Sequence, residues 1–336
     1  MERKTVILNS FIDAWIAAMP KPRSAQISLS DTPYYHCISR CVRRAFLCGK
    51  DTHTQQSYEH RKDWVETRLL ELADIFAIDV SAYAVMSNHT HIVLHIDKAI
   101  AEAWTADEVL ERWHKLYKGT LLTQQYANPS QRKSMTAAMQ QAVLQTVECY
   151  RKRLYDVSWF MRSLNEFIAR KANQEDNCTG RFWEGRFKCQ ALLDEAALAA
   201  CLAYVDLNLI RAGVATTPET SEHTSIQMRI RAALTGEQPN ALMPFAGNPR
   251  SNMPKGLPFE LKDYMALVDL TGRAMREDKR GYIESHRSPI LDRLAIDDAI
   301  WLELTHGFEK RFGSAVGREI IERRLATSPP GFLSTA

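Results

Sequence analysis

Two histidines near the middle of the chain have a spacing that suits a shared metal ion. His89 and His91 flank Thr90. Residues at i and i+2 of a β-strand point to the same face of the sheet, so both imidazoles can reach one divalent cation. An H-x-H pattern alone is common, however, and the alternative interpretation is one turn histidine followed by one surface histidine.

A tyrosine and an asparagine later in the chain are spaced one helical turn apart. Tyr204 and Asn208 lie within about 40° of each other on a helix that turns ~100° per residue. The apolar stripe of that helix lies about 110–130° away from the pair and consists of Leu198, Leu202, Val205 and Leu209. The pair therefore forms a polar edge of the helix, although a single tyrosine can equally pack at a core boundary.

A third group of residues has the composition of a nucleic-acid-binding surface. Residues 180–188 interleave cations with aromatic rings, a mixture that suits phosphates and stacked bases. From Arg151 to Lys188 there are nine Lys/Arg and five Asp/Glu, whereas the whole chain carries a formal charge of +3. The alternative is a solvated amphipathic hairpin. The predicted DNA contacts are Arg40, Arg43, Arg44, Arg181, Trp183, Arg186 and Lys188.

The hydrophobic periodicity predicts the elements that must position these side chains. Strands are expected at residues 34–39, 80–86, 89–96 and 181–193, and helices at 58–76 and 194–212. Asp194 is the predicted N-cap of the last helix, and Gly213 follows its end. This order favours an α+β fold, with an antiparallel sheet covered by helices on one face.

Changes in texture along the chain predict four regions. An N-terminal arm covers residues 1–30, and a domain covers 31–215 with a helical insertion at about 100–158. Residues 216–258 contain six prolines and are predicted to be a linker. A mostly helical C-terminal region covers residues 259–336.

The overall composition is that of an ordinary globular protein, with 45% hydrophobic and 25% charged residues. Seven cysteines without a C-x-x-C pair indicate reduced thiols, which favours a cytoplasmic location. No apolar run approaches the ~20 residues of a membrane span, so no membrane association is expected.

Four motifs in order resemble one known family. They are Tyr35 to Arg40, Met86 to Val93, Gly180 to Phe187 and Ala203 to Gly213. Together they resemble the REP-associated tyrosine transposases, a branch of the single-tyrosine HUH transposases, over residues 31–215. Two positions depart from the family pattern: Thr90 replaces a hydrophobic residue between the histidines, and Leu209 replaces a proline after the asparagine.

The resemblance implies a fold, a reaction and a set of site residues. The fold would be a ferredoxin-like or RRM-like sheet. Tyr204 would be the nucleophile, and His89, His91 and Asn208 would hold Mg²⁺ or Mn²⁺. The expected activity is a transposase that cleaves and rejoins single-stranded DNA through a 5′-phosphotyrosine, at hairpin-forming repeats; self-association is left open.

Two other functions are weighed against this one. A non-catalytic module could use the same fold to bind single-stranded nucleic acid. A metal phosphoesterase of the two-histidine-motif type is disfavoured, because the histidine pair His89-Thr90-His91 occurs only once in the sequence. His36 could support the metal ligands or be simply buried, and both His36 and His95 are interpreted as structural residues. Cys37, Cys41 and Cys48 are interpreted as small buried side chains.

Overall fold

The computed structural model describes residues 26–42, 47–50, 55–247 and 254–276, together with positions 301, 305, 308 and 315–317. The strands are β1 (Tyr34–Arg40), β2 (Ile78–Val85), β3 (His89–Ile96), β4 (Lys188–Leu192) and β5 (Ala315–Val316). The helices up to β4 are α1 (Arg61–Ile75), α2 (Lys98–Ala103), α3 (Ala106–Leu116), α4 (Leu121–Ala127), α5 (Pro129–Arg132), α6 (Ala137–Leu154) and α7 (Val157–Glu175). The later helices are α8 (Glu195–Asp206), α9 (Asn208–Arg211), α10 (Ser225–Ala233) and α11 (Leu261–Arg276), with a 3₁₀ turn at Pro218–Thr220.

The five strands form one open sheet in the order β2-β3-β1-β4-β5. The first four strands pair antiparallel, and β5 joins β4 in parallel. A βαββαβ chain whose strands lie in the order 2-3-1-4 has ferredoxin-like topology. The predicted α+β class with an antiparallel sheet is therefore confirmed.

One face of the sheet packs against the two crossover helices, α1 and α7. Tyr35, Ile92 and Leu94 belong to the same core as Leu69 of α1 and Leu164 of α7. The alternation that places them on one face holds along β1, β3 and β4. In β2 a bulge between Val80 and Ala82 shifts the register, so that Val80 and Tyr83 both face this core.

Helices also cover the opposite face of the sheet, whereas the sequence predicted helices on one face. Val93 of β3 and Ala84 of β2 pack with α8 and with apolar residues of α11, such as Leu267. The α8 sequence explains why it lies inside the protein, because every residue from Ala196 to Asp206 is buried. The sheet is thus a central layer between two helical layers, and its side chains on both faces are shielded from water.

Two regions, the predicted helical insertion and the predicted linker, pack against the rest of the domain. The helical segment from α2 to α6 packs its apolar residues, including Trp113 and Val143, into the core that contains α1. Within 216–258, the predicted linker, α10 packs beside β2, and Met243 and Leu257 are buried. The described part of that stretch is therefore packed against the sheet domain.

Candidate functional site

The histidine pair lies on β3, on the face of the sheet covered by α8. His89 begins the strand opposite Arg40 of β1, and His91 is fully buried. The two rings have centroids 4.8 Å apart. Nδ1 of His89 lies 2.6 Å from the side-chain oxygen of Asn88. A carbonyl oxygen accepts, so Nδ1 of His89 donates and the lone pair of a neutral ring lies on Nε2.

Tyr204 lies against this pair, although it is far from it in the sequence. Its ring centroid is 5.5 Å from that of His91 and 6.1 Å from that of His36. The guanidinium carbon of Arg211 lies 4.4 Å from the centroid of the same phenol ring. The ring also packs 5.7 Å from Phe308 and is only 5% exposed.

The helix that carries Tyr204 is interrupted before Asn208. The Asp194 side chain caps α8 by accepting from the backbone N–H of Ala197 at 2.8 Å, which confirms the predicted N-cap. A single helix over 194–212 was expected, but α8 ends at Asp206 and a short α9 begins at Asn208. The break at Leu207 therefore separates the tyrosine and the asparagine into two consecutive helices.

Two buried side-chain atoms bear on whether these residues fit a cation. Nε2 of His91 and Nδ2 of Asn208 are both buried, and neither has a hydrogen-bond partner within the described part of the chain. Buried polar atoms in proteins are almost always paired. Imidazole nitrogens and an amide are ligands that divalent first-row metals accept. The unpaired Nε2 of His91 is a lone pair that suits a cation, whereas Nδ2 of Asn208 carries hydrogens, so Asn208 would bind a cation through its side-chain oxygen.

The electrostatic surroundings keep His91 neutral. Burial lowers the pKa of His91 well below its ordinary value, and the nearby His36, His89 and Arg211 act in the same direction. A metal ligand must be the unprotonated imidazole. His91 is therefore in its ligand form across the physiological pH range.

The predicted DNA-contact residues within the described chain gather at the end of β1. Arg40, Arg181, Arg186 and Lys188 are exposed, so their charges face solvent. The indole N–H of Trp183 instead donates to the backbone carbonyl of Asn165 at 2.7 Å, and the ring is half-buried.

Backbone contacts fix the loop that carries these residues beside His89. Trp183 forms a bridge with Cys41, and the Glu184 N–H donates to the Arg40 carbonyl. Arg40 is itself the register partner of His89. The loop thus brings a basic surface to the histidine pair. The other two predicted contacts, Arg43 and Arg44, lie outside the described residues.

A second group of side chains could also hold a metal ion. One ligand atom from each of Asp63, Glu66 and His223 lies within 4.8 Å of the others. Glu66 accepts from the Tyr83 hydroxyl and lies 3.1 Å from Nδ1 of His223. These residues line a cavity of about 300 Å³ beside β2. This group is distinct from His89, His91 and Asn208, the only cation ligands predicted from the sequence.

Sequence reasoning missed this group because its members are brought together only by the fold. Asp63 and Glu66 are three residues apart on the predicted first helix, a spacing that placed them on one side of it. His223, however, lies within the stretch predicted to be a linker. It reaches Glu66 because its own backbone carbonyl accepts from the N–H of Val85 in β2.

The ion pair between Glu66 and His223 predicts a pH-dependent contribution to stability. Burial alone would raise the pKa of Glu66, but hydrogen bonds from His223 and Tyr83 outweigh it and hold the pKa below 4.5. The hydrogen bond to Glu66 raises the pKa of His223 above 6.5. The ion pair makes its full contribution to stability between pH 4.5 and pH 6.5, the ordinary pKa values of the two groups. It is lost as pH rises through the raised value of His223 or falls through the lowered value of Glu66.

We expect His223→Asn to lower the free energy of unfolding by about 1–2 kcal/mol near pH ~5.5, and by less near pH ~9. Asparagine suits this position because His223 has a φ of 56°, and asparagine tolerates the left-handed region. Urea denaturation of the parent, His223→Asn, Glu66→Gln and the double variant, in EDTA, measures the coupling free energy. A coupling that is equal at both pH values would contradict the ion-pair assignment.

Within the described residues, no helix is both long and apolar enough to cross a bilayer.

No family model and no curated protein matches this chain. Among solved structures, the chain is similar to a REP-associated tyrosine transposase bound to a REP hairpin, with 12% sequence identity and a TM-score of 0.33. The similarity covers 68% of this chain and 92% of that one.

Proposed function

We propose that this protein is a DNA-strand transferase that cleaves and rejoins single-stranded DNA, at hairpin-forming repeats, through a covalent bond to Tyr204. The observation that supports this most is the 5.5 Å between the ring centroids of Tyr204 and His91. The order of the four sequence motifs is independent support.

The proposed reaction begins with the Tyr204 hydroxyl. The phenolate oxygen attacks phosphorus, the bond from phosphorus to the 3′ oxygen breaks, and a 5′-phosphotyrosine and a free 3′-OH result. The phenol proton passes to solvent, and the leaving 3′ oxygen takes up a proton. A phenol with an ordinary pKa near ~10 ionises with difficulty and needs a cation or a base near its oxygen. Among the described residues, the Arg211 guanidinium, which lies over the ring, is the cation closest to that role by its position.

His89, His91 and Asn208 are the residues that would hold Mg²⁺ or Mn²⁺. When bound, such a cation acts as a Lewis acid on the scissile phosphate. The rigid β3 strand holds His91 in place. Because the covalent link conserves the energy of the phosphodiester, a second 3′-OH can reverse the attack and rejoin the strand without ATP.

The basic surface at the end of β1 would hold the DNA strand. Arg40, Arg181, Arg186 and Lys188 are exposed, and Arg40 is the register partner of His89. Exposed cations of this kind bind phosphates in a salt-dependent manner. Trp183 is the aromatic ring of this surface, and its half-exposed edge is available to a base.

A second candidate function is binding of single-stranded nucleic acid without catalysis. The burial of Tyr204 favours it, because a ring only 5% exposed and packed on Phe308 receives a phosphate only if neighbouring side chains move. This function requires the basic surface but neither the phenol nor the histidines.

A covalent adduct distinguishes the two functions. We expect the parent protein, incubated with Mn²⁺ and an end-labelled single strand containing a hairpin, to form a protein–DNA band that survives a denaturing gel. EDTA should abolish it, and mass spectrometry of the digested adduct should place the nucleotide on the peptide containing Tyr204. A strand that is retarded in native gels, without any adduct in denaturing gels, would identify a binding protein and overturn the proposed transferase.

A further inference from the structure

A line of three polar side chains crosses the sheet and ends at His91. Gln190 of β4, His36 of β1 and His91 of β3 all project to the face covered by α8, and all three are buried. The Gln190 side-chain oxygen lies 3.3 Å from Nδ1 of His36. Nε2 of His36 lies 3.0 Å from Nδ1 of His91. The sequence alone favoured a structural role for His36 over a role in support of the metal ligands.

The hydrogen-bond direction along this line follows from its first member. A carbonyl oxygen can only accept, so Nδ1 of His36 carries a proton. A neutral imidazole then has its lone pair on Nε2, which makes Nε2 of His36 an acceptor. Nδ1 of His91 must therefore donate, and the lone pair of His91 is left on Nε2.

The end of the line is the unpaired atom described above. Nε2 of His91 is buried and has no hydrogen-bond partner among the described residues. A buried nitrogen lone pair without a hydrogen-bond donor costs free energy, unless the lone pair binds a cation. Metal-bound histidines commonly donate their other ring N–H to a fixed acceptor, which sets both the tautomer and the ring orientation.

We infer that His36 and Gln190 are positioning residues, which fix the Nδ1–H tautomer of His91 so that its Nε2 binds a divalent cation. The inference rests on the cation site of the proposed function, but not on the strand-transfer reaction. If the Gln190 amide were reversed, every donor in the line would become an acceptor. Nε2 of His91 would then carry a proton, and the site would not bind a cation.

The tautomer can be measured in the parent protein without any metal or DNA. In EDTA-treated protein with ¹⁵N-labelled histidine, two-bond ¹H–¹⁵N spectra distinguish a protonated Nδ1 from a protonated Nε2, and His91→Gln identifies the resonances of His91. The expected result is a protonated Nδ1 and an unprotonated Nε2 for His91. A protonated Nε2 would overturn the inference without the need for any variant of His36.

Cation affinity provides the second readout. All variants carry Glu66→Gln, which removes a ligand atom from the second possible metal site, formed by Asp63, Glu66 and His223. Mn²⁺ binding is titrated by electron paramagnetic resonance. His36→Phe fills the same space without an acceptor and should weaken Mn²⁺ binding by about 10–100-fold. Gln190→Glu keeps an acceptor at the start of the line and should retain the affinity to within about threefold. Unchanged affinity in a folded His36→Phe protein would also overturn the inference.

A matched control and the adduct assay separate this inference from the proposed function. His95→Phe alters another histidine of β3, one whose Nδ1 bonds to Asp79 and not to this line, and it should leave Mn²⁺ affinity unchanged. If the parent forms no DNA adduct while His36→Phe still loses Mn²⁺, the strand-transfer function fails and the positioning role stands. If adducts form but the affinity of His36→Phe equals that of the parent, the positioning role fails alone.

Discussion

Replacing Tyr204 by phenylalanine is expected to reduce adduct formation by more than about 10³-fold, because loss of a nucleophile removes the covalent pathway itself. The substitution deletes a single oxygen. The ring contacts with His91, Phe308 and Arg211 do not involve that oxygen and are retained. DNA affinity should therefore remain close to that of the parent, while the denaturing-gel band disappears.

Tyr34→Phe is the matched control for this experiment. Tyr34 lies on the same face of β1 as His36, and its ring is 4.9 Å from that of His95. A protein with this change should form the adduct at the parent rate. If Tyr204→Phe formed a covalent adduct as fast as the parent, Tyr204 would not be the nucleophile. Equal salt-dependent binding by both variants would show that the loss of adduct is not a loss of affinity.

The central sheet was predictable because its strands follow simple alternation. β3 begins and ends at the predicted residues, and its period of two places His91 and Val93 on one face and Ile92 and Leu94 on the other. The sequence order of strands and helices favoured an antiparallel sheet, and the two crossover helices cover one face as expected. What the sequence pattern could not supply was the second helical layer, because it indicated a single apolar stripe on this helix, whereas every residue of α8 from Ala196 to Asp206 is buried.

The candidate site was predictable in its residue types but not in its surroundings. Spacing identified His89, His91, Tyr204 and Asn208 as residues that could do chemistry together, and their roles remain a prediction. The contact between His36 and His91 could not be predicted, because it joins two strands that are far apart in sequence. His36 was therefore interpreted as structural. The Asp63, Glu66 and His223 group depends in the same way on long-range contacts. Such pairings follow from strand register, which the sequence alone did not specify.

A buried polar network next to Tyr204 leads to the largest expected effect on stability. Asp206 ends α8, is 1% exposed, and accepts hydrogen bonds from the hydroxyls of Ser225 and Tyr264. Arg229 is equally buried, and its Nη2 donates to the backbone carbonyls of Ser81 and Met243. The carboxylate of Asp206 and the guanidinium of Arg229 attract each other across this network. One side chain therefore connects α8 to α10 and α11.

We expect Asp206→Ala to lower the free energy of unfolding by about 3–5 kcal/mol, the typical cost of removing one partner of a buried charged pair. The change leaves the Ser225 and Tyr264 hydroxyls without their acceptor and Arg229 without its nearest opposite charge. Asp206→Asn retains an acceptor oxygen and a similar volume, so its cost should be smaller. Urea denaturation, followed by circular dichroism, measures both.

Asp269→Ala is the control, because Asp269 forms an exposed i,i+4 pair with Arg273 on α11 and should cost less than about 0.5 kcal/mol. If Asp206→Ala were no more destabilising than Asp269→Ala, the network would not support α8.

The position of Asp206 gives this prediction a functional consequence. It lies between Tyr204 and Asn208 in the chain, so loosening it displaces the phenol and the amide together. We therefore expect Asp206→Asn to lose adduct formation more than DNA affinity, since the basic surface at the end of β1 lies outside the network.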